Sequence, residues 1–247
     1  MQDLALSPRT DADLTRINRE FYESLWGRSR LVDPSRFNTW PLVRELAAAA
    51  PRRVEVAPGL RPRLPLDGTC FVDLSRSALD VLHAHGAMTM RGVIGALPCA
   101  DASFDLICAL DILEHVVDDG TALRELQRVA APGARLLLSV PLHPEAWTGF
   151  DEFVGHYRRY EPIEITERLA SHGWRVERSA VYGMQPSSPR LLALGQWYLT
   201  HHRERAMWWY NRVFMPWGLH FQKSLQWRPG LDDTADVDEI LLLCGRA

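Results

Sequence analysis

Asp111, Glu114 and His115 stand within a five-residue stretch, directly after the apolar run FDLICAL at 104–110. Carboxylates beside an imidazole can orient it, polarise it and exchange a proton with it near neutral pH. A second group lies in PLHPEAWTGFDEFVGHYRRYEP, 141–162, which supplies His143, Asp151, Glu152, His156, Arg158, Arg159 and Tyr160. Guanidinium groups such as Arg158 and Arg159 make paired hydrogen bonds to a carboxylate or phosphate. They serve equally to pair with Asp151, Glu152 or Glu161 and hold the loop, and Tyr160 suits an anchoring role. A third group is Glu55-Val56-Ala57-Pro58-Gly59, followed by Asp73 at the end of another apolar run.

These residues gain meaning from the elements that must hold them. FDLICAL is too continuous to alternate, so it reads as a parallel strand covered on both faces. Open α/β sheets bind ligands beyond the carboxyl ends of such strands, where Asp111 to His115 fall. From Thr121, the apolar residues Leu123, Leu126, Val129 and Ala130 keep helical spacing, with Pro132-Gly133 as the expected stop before RLLLSVP. Further strands are expected at 52–57, 69–74, 88–93, 174–183 and 238–246. Helices are expected at 11–26, with Leu14, Ile17, Phe21 and Leu25 on one face, and at 41–50, both covering the site. Another is expected after Ser75, and one from Glu161 to His172, closed by Gly173.

Leu97-Pro98, Ser103-Phe104-Asp105-Leu106, Glu114-His115-Val116, Pro132-Gly133 and LLLSVP occur together in this order. The composite resembles the class I S-adenosylmethionine-dependent methyltransferases of the type 11 kind. The stretch 151–160 is similar to an H-D-E-x-x-G-H-x-R-R-Y segment of that family, with Phe150 in place of the first His. The resemblance implies an α/β fold with a doubly wound, mostly parallel seven-stranded Rossmann-like sheet. N-terminal helices would form a cover over 1–50, and the methyltransferase domain would take 51–184 and 236–247. It implies S-adenosyl-L-methionine as cofactor, with Glu55, Ala57, Gly59, Asp73, Leu74, Leu97 and Asp111 around it. Asp73, 18 positions after Glu55, sits where an acidic residue accepts from ribose hydroxyls. His115, His143 and His156 are then the candidates for removing an acceptor's proton, and Arg158, Arg159 and Tyr160 those for binding the acceptor. Two departures stand out. One glycine remains of the usual two or three, with Pro62 and Pro65 where the first helix should run, and Val93 replaces the acidic residue expected near adenine.

Between the last two long strands, 185–235 is an aromatic-rich helical insertion. It holds Trp197, Tyr198, Trp208, Trp209, Tyr210, Phe214, Trp217 and Trp227. It reads as two helices broken at Pro216-Trp217-Gly218, forming either a layer of extra core or a lid over an apolar substrate. A net charge of -3 gives no basic excess for nucleic acid. The four cysteines are too scattered for a metal site, and the amino terminus is too polar for a signal sequence. No apolar run reaches the roughly 20 residues needed to span a bilayer. The expectation is a cytoplasmic enzyme without a metal that methylates a small molecule; a homodimer is compatible with it. The altered glycine turn leaves an alternative, a cofactor-degenerate protein serving as a binding or regulatory partner.

Overall fold

The computed structural model describes residues 29–183 and 201–247, together with Tyr22, Glu23, Leu25, Trp26, Leu194, Gly195, Trp197 and Tyr198. Its strands are β1 (Arg53–Val56), β2 (Thr69–Asp73), β3 (Met88–Arg91), β4 (Phe104–Ala109), β5 (Ala130–Pro141), β6 (Trp174–Val181), β7 (Arg228–Pro229) and β8 (Glu239–Arg246). They form one sheet in the order β3-β2-β1-β4-β5-β8-β6-β7. Neighbours from β3 through β5 are parallel, and β8 runs antiparallel between β5 and β6. The seven expected strands are all present. The eighth, β7, is a two-residue edge pairing with β6.

Alternation of side chains across the strands divides the core into two layers. Val54, Val56, Ile107, Ala109, Leu136, Leu138 and Val140 face helices α3 (Asp119–Val129) and α5 (Pro162–Ser171) through Leu123, Leu126, Ile165 and Leu169. Leu106, Cys108, Leu137, Leu241 and Leu243 face α1 (Trp40–Ala49) through Leu42, Val43 and Leu46. With both faces covered, the continuous apolar reading of β4 holds. Helix α2 (Arg76–Ala84) starts at Ser75, whose hydroxyl accepts from Ala78 N. The short α4 (Gly149–Val154) carries a capping box between Thr148 and Asp151.

Three expectations change. Helix α3 stops at Val129, and Ala130 already belongs to β5. Pro132-Gly133 lies inside that strand, where the pairing moves from Phe104↔Ala130 to Leu106↔Arg135, because proline has no N–H for the ladder. In the insertion, α6 (Arg203–Trp209) continues through a π-helical turn, Tyr210–Phe214, into α7 (Met215–His220) without breaking at Pro216. The wide turn, in which Met215 N donates to Tyr210 O, seats Pro216 at the start of α7, where a missing N–H costs little. Of the helix expected at 11–26, Tyr22, Glu23, Leu25 and Trp26 are helical, and the rest lies outside the described residues, as do 185–193, 196, 199 and 200 of the insertion. Among the described residues no helix is long and apolar enough to cross a membrane.

Candidate active site

Three strands end alike. Ala57 after β1, Asp111 after β4 and His143 beyond β5 have φ of 56°, 51° and 60°. Left-handed backbone at a residue with a Cβ costs about 1–2 kcal/mol, and such strain gathers at functional sites. Ala57 and Asp111 open onto a cavity of about 1550 Å³ over the carboxyl ends of the sheet. Trp26, Tyr210, Phe214 and Trp217 contribute to its aromatic wall.

On the β1–β2 side, no helix forms between Pro58 and Asp67, as the prolines dictate. Two carboxylates hold the chain instead. Glu55 accepts from Arg63 N at 2.9 Å and Leu64 N at 2.8 Å, and Asp73 accepts from Gly59 N at 2.9 Å and Ser75 N at 2.7 Å. Burial pushes Glu55 up to about 7 against those N–H bonds, and burial likewise raises Asp73. Gly59 is required because an added Cβ would collide with the Trp26 ring. Arg61 lies 5.2 Å from the Trp26 ring centre and 4.9 Å from that of Tyr210, and donates to Tyr210 Oη and Asn211 Oδ1, both at 3.2 Å. The loop is thereby joined to the insertion. Arg63 donates to Tyr182 Oη at 2.8 Å.

On the β4–β5 side, Leu113–His115 forms a single 3-10 turn that turns Glu114 and His115 inward. The segment after α4 meets it: Tyr157 N donates to Glu114 O at 2.7 Å, and the His115 Nδ1 hydrogen bond to Gly155 O is 3.2 Å. His115 and His156 rings lie edge to face, 4.7 Å between centres. His156 Nδ1 donates to Asp151 Oδ1 at 2.8 Å, and Nε2 lies 3.8 Å from Glu114 Oε1. Asp151 also receives Arg159 at 2.9 and 3.1 Å and Thr148 N at 2.8 Å. Burial would raise its pKa, but the bonds from His156 and Arg159 hold it well below the usual carboxylate range. Burial lowers His115 to about 3, the nearby His156 adding to the effect. Burial drives Glu114 far above the carboxylate range, with Asp111 adding repulsion, and the same two causes act on Glu239. Asp111 accepts from the Ser139 hydroxyl. Glu114 Oε2 is buried with no hydrogen-bond partner among the described residues, which costs about 1–3 kcal/mol.

Of the expected cofactor residues, Glu55, Ala57, Asp73, Leu74 and Asp111 line the cavity. Gly59 supports its wall from behind, and Leu97 is buried, its N–H donated to Glu125 at 2.8 Å. Gly92 to Ala96 form the wall at which Val93 replaces the expected acidic residue. His115 and His156 come together on the cavity. His143 does not join them: its Nε2 donates to Thr234 O at 2.7 Å. The three residues expected to bind the acceptor are engaged in holding the fold. Arg158 and Tyr160 meet Asp119 at 2.8 and 3.0 Å, and Arg159, at the cavity edge, is matched by Asp151 and by Asp238 at 2.6 Å. Sequence reasoning missed Tyr22, Trp26, Arg61, Asp238 and Glu239, all on the cavity. The pairing Pro141↔Glu239 brings the last two there, a relation visible only once β8 is placed beside β5.

Residues 63–138 match the family model described as methyltransferase domain. A probable S-adenosylmethionine-dependent methyltransferase of Mycolicibacterium smegmatis is 33% identical over 91 residues, 35% of either chain. An O-methyltransferase of Aspergillus sclerotiorum is 38% identical over 119 residues, 42% of this chain and 45% of that one. The chain thus spans less than half the length of these curated relatives. Among solved structures, a Thermotoga maritima protein described as a S-adenosylmethionine-dependent methyltransferase, possible histamine N-methyltransferase, superposes with a TM-score of 0.57. The overlap covers 95% of this chain and 93% of that one at 15% identity, a likeness of fold.

Proposed function

We propose that this chain, whose residues 63–138 match a methyltransferase-domain family model, is a class I S-adenosylmethionine-dependent methyltransferase that methylates a small-molecule acceptor held in the cavity. The observation that carries the reading is a single cavity with a carboxylate suited to ribose at one end and a Glu–His–His group at the other.

The residues present fit the cofactor. Asp73 spends one lone pair of each carboxylate oxygen on Gly59 and Ser75, and a carboxylate offers about four such sites, so ribose hydroxyls find acceptors there. Ile94 to Ala96 give a largely apolar wall for a flat base, and Asp111 gives a carboxylate for an ammonium group. Bound there, S-adenosyl-L-methionine supplies an electrophilic methyl carbon on a sulfonium.

The protein's own contribution is alignment, exclusion of water and proton handling. Trp26, Phe214 and Trp217 give the cavity an aromatic wall, which lowers the amount of water around the nucleophile. His156 is the proton-accepting group at the acceptor end, and Asp151 fixes its ring with Nε2 on the Glu114 side. An aromatic-walled cavity and a net charge of -3 favour a metabolite over nucleic acid. Four free cysteines favour a reducing, cytoplasmic setting. Labelled methyl transfer from S-adenosyl-L-methionine across an acceptor panel tests the activity. A second reading, binding without catalysis, draws on the loop that replaces the usual glycine-rich helix start. Tight binding of S-adenosylhomocysteine with no methyl transfer to any acceptor would favour that one.

A further inference from the structure

We propose that Glu114, His115 and His156 form a site for one divalent transition-metal cation at the acceptor end of the cavity. The proposal rests on the methyltransferase reading for its purpose, but not for its geometry. One ligand atom from each residue falls within 4.8 Å of the other two. Metal–ligand bonds of about 2.0–2.2 Å bring such atoms to about 3–3.5 Å, so side-chain rotations of about 1 Å close the site. All three residues line the cavity, which leaves a coordination position for a ligand.

The surroundings are those that metal-binding imidazoles require. A ligating histidine usually gives its second ring N–H to a carboxylate or backbone carbonyl, which fixes the tautomer and turns the other nitrogen to the metal. His156 Nδ1 is held by Asp151 at 2.8 Å, and His115 Nδ1 by Gly155 O at 3.2 Å. Both Nε2 atoms are thus directed inward, His156 toward Glu114 and His115 toward the Tyr22 hydroxyl at 3.2 Å. A cation would take the place of that hydroxyl's hydrogen bond or bind its oxygen. The third donor is Glu114, 1% exposed, whose Oε2 has no partner among the described residues. Asp111 adds negative charge beside Glu114, and the nearby cation Arg159 is already matched by Asp151 and Asp238. Two imidazoles and a carboxylate with an open position suit Zn²⁺, Fe²⁺ or Mn²⁺ better than Mg²⁺ or Ca²⁺. Such a cation would hold and acidify a hydroxyl, which makes the acceptor class an alcohol, phenol or enol and lets charge replace direct proton transfer to His156.

The test is calorimetric titration of the chelator-stripped full chain with Zn²⁺ and Mn²⁺, with S-adenosylhomocysteine titrated in the same samples. One cation per chain is expected, with Glu114→Gln and His156→Gln weakening it by about 100-fold and Asp151→Asn by about 10-fold, at unchanged S-adenosylhomocysteine affinity. Glu114→Gln keeps the side-chain volume; if it does not fold, His156→Gln is the deciding variant. Equal cation affinity in wild type and variants overturns the site, as does binding that disappears instead in His143→Ala. Cation failure with retained S-adenosylhomocysteine binding removes the site and leaves the methyltransferase reading standing. The converse leaves the site and removes that reading.

Discussion

The two ends of the cavity are held by opposite means. At the β1–β2 end, carboxylates grip backbone: Glu55 and Asp73 receive N–H groups of the loop that stands where a helix would be expected. At the β4–β5 end, side chains grip side chains: Asp151 holds His156 and Arg159, and Asp119 holds Arg158, Tyr160 and Arg168. A backbone clamp sets the chain path through N–H groups rather than residue type, so an Ala57-Pro58 turn can stand where a glycine-rich one is expected, with Leu60 buried and Arg61 tied to the insertion. A side-chain clamp ties each residue type to its partner. The turn at 57–59 departs from the glycine-rich pattern that the resemblance implies, whereas the segment 151–160 matches its pattern.

The difference predicts unequal sensitivity. Asp119→Ala should be the most damaging change, because it strands Arg158 and Arg168 beside a buried tyrosine; about 3–4 kcal/mol of stability is lost, read by urea unfolding. Asp73→Asn should weaken S-adenosylhomocysteine binding by about tenfold or more through lost charge-assisted hydrogen bonds, while stability falls by only about 1 kcal/mol. An equal loss in both quantities would make Asp73 a loop clamp alone.

The buried Glu55 gives a pH signature to the backbone clamp. Its folded pKa, near 7, lies above its ordinary value of 4.5, so the folded state keeps the proton across that window. Stability from this group is full below about pH 4.5 and declines up to about pH 7, by about 3 kcal/mol. Glu55→Gln should flatten that part of the profile in urea unfolding compared across the same window. An unchanged slope would place the titration elsewhere. The smallest effect is expected at Ala57, with φ of 56°. Ala57→Gly relieves about 1–2 kcal/mol of strain and adds about 0.4–1 kcal/mol of unfolded-chain entropy, for a net gain of about 0.8 kcal/mol in unfolding free energy.

The sheet is legible in the sequence because its strands are continuous apolar runs, and a strand buried on both faces has no other way to be written. Asp111, Glu114 and His115 are legible as a candidate site because the end of such a strand is where ligands bind. His143 misleads: it shares the strand-end position, but its ring serves the Thr234 carbonyl. Arg158 and Tyr160 mislead for a related reason. Their partner Asp119, which opens α3, stands 39 and 41 positions before them, too far along the chain to be recognised as such. Asp238 and Glu239 are invisible as site residues because only the antiparallel insertion of β8 beside β5 carries them to the cavity. The lone carboxylate oxygen of Glu114 is likewise a property of packing, with no mark in the residue order.

Titration of the full chain with S-adenosylhomocysteine by calorimetry decides whether the carboxylate-held loop still serves a methyl donor. One site per chain is expected, weakened about tenfold or more in Asp73→Asn and little changed in His156→Gln. Absence of binding to the folded wild-type chain would contradict it.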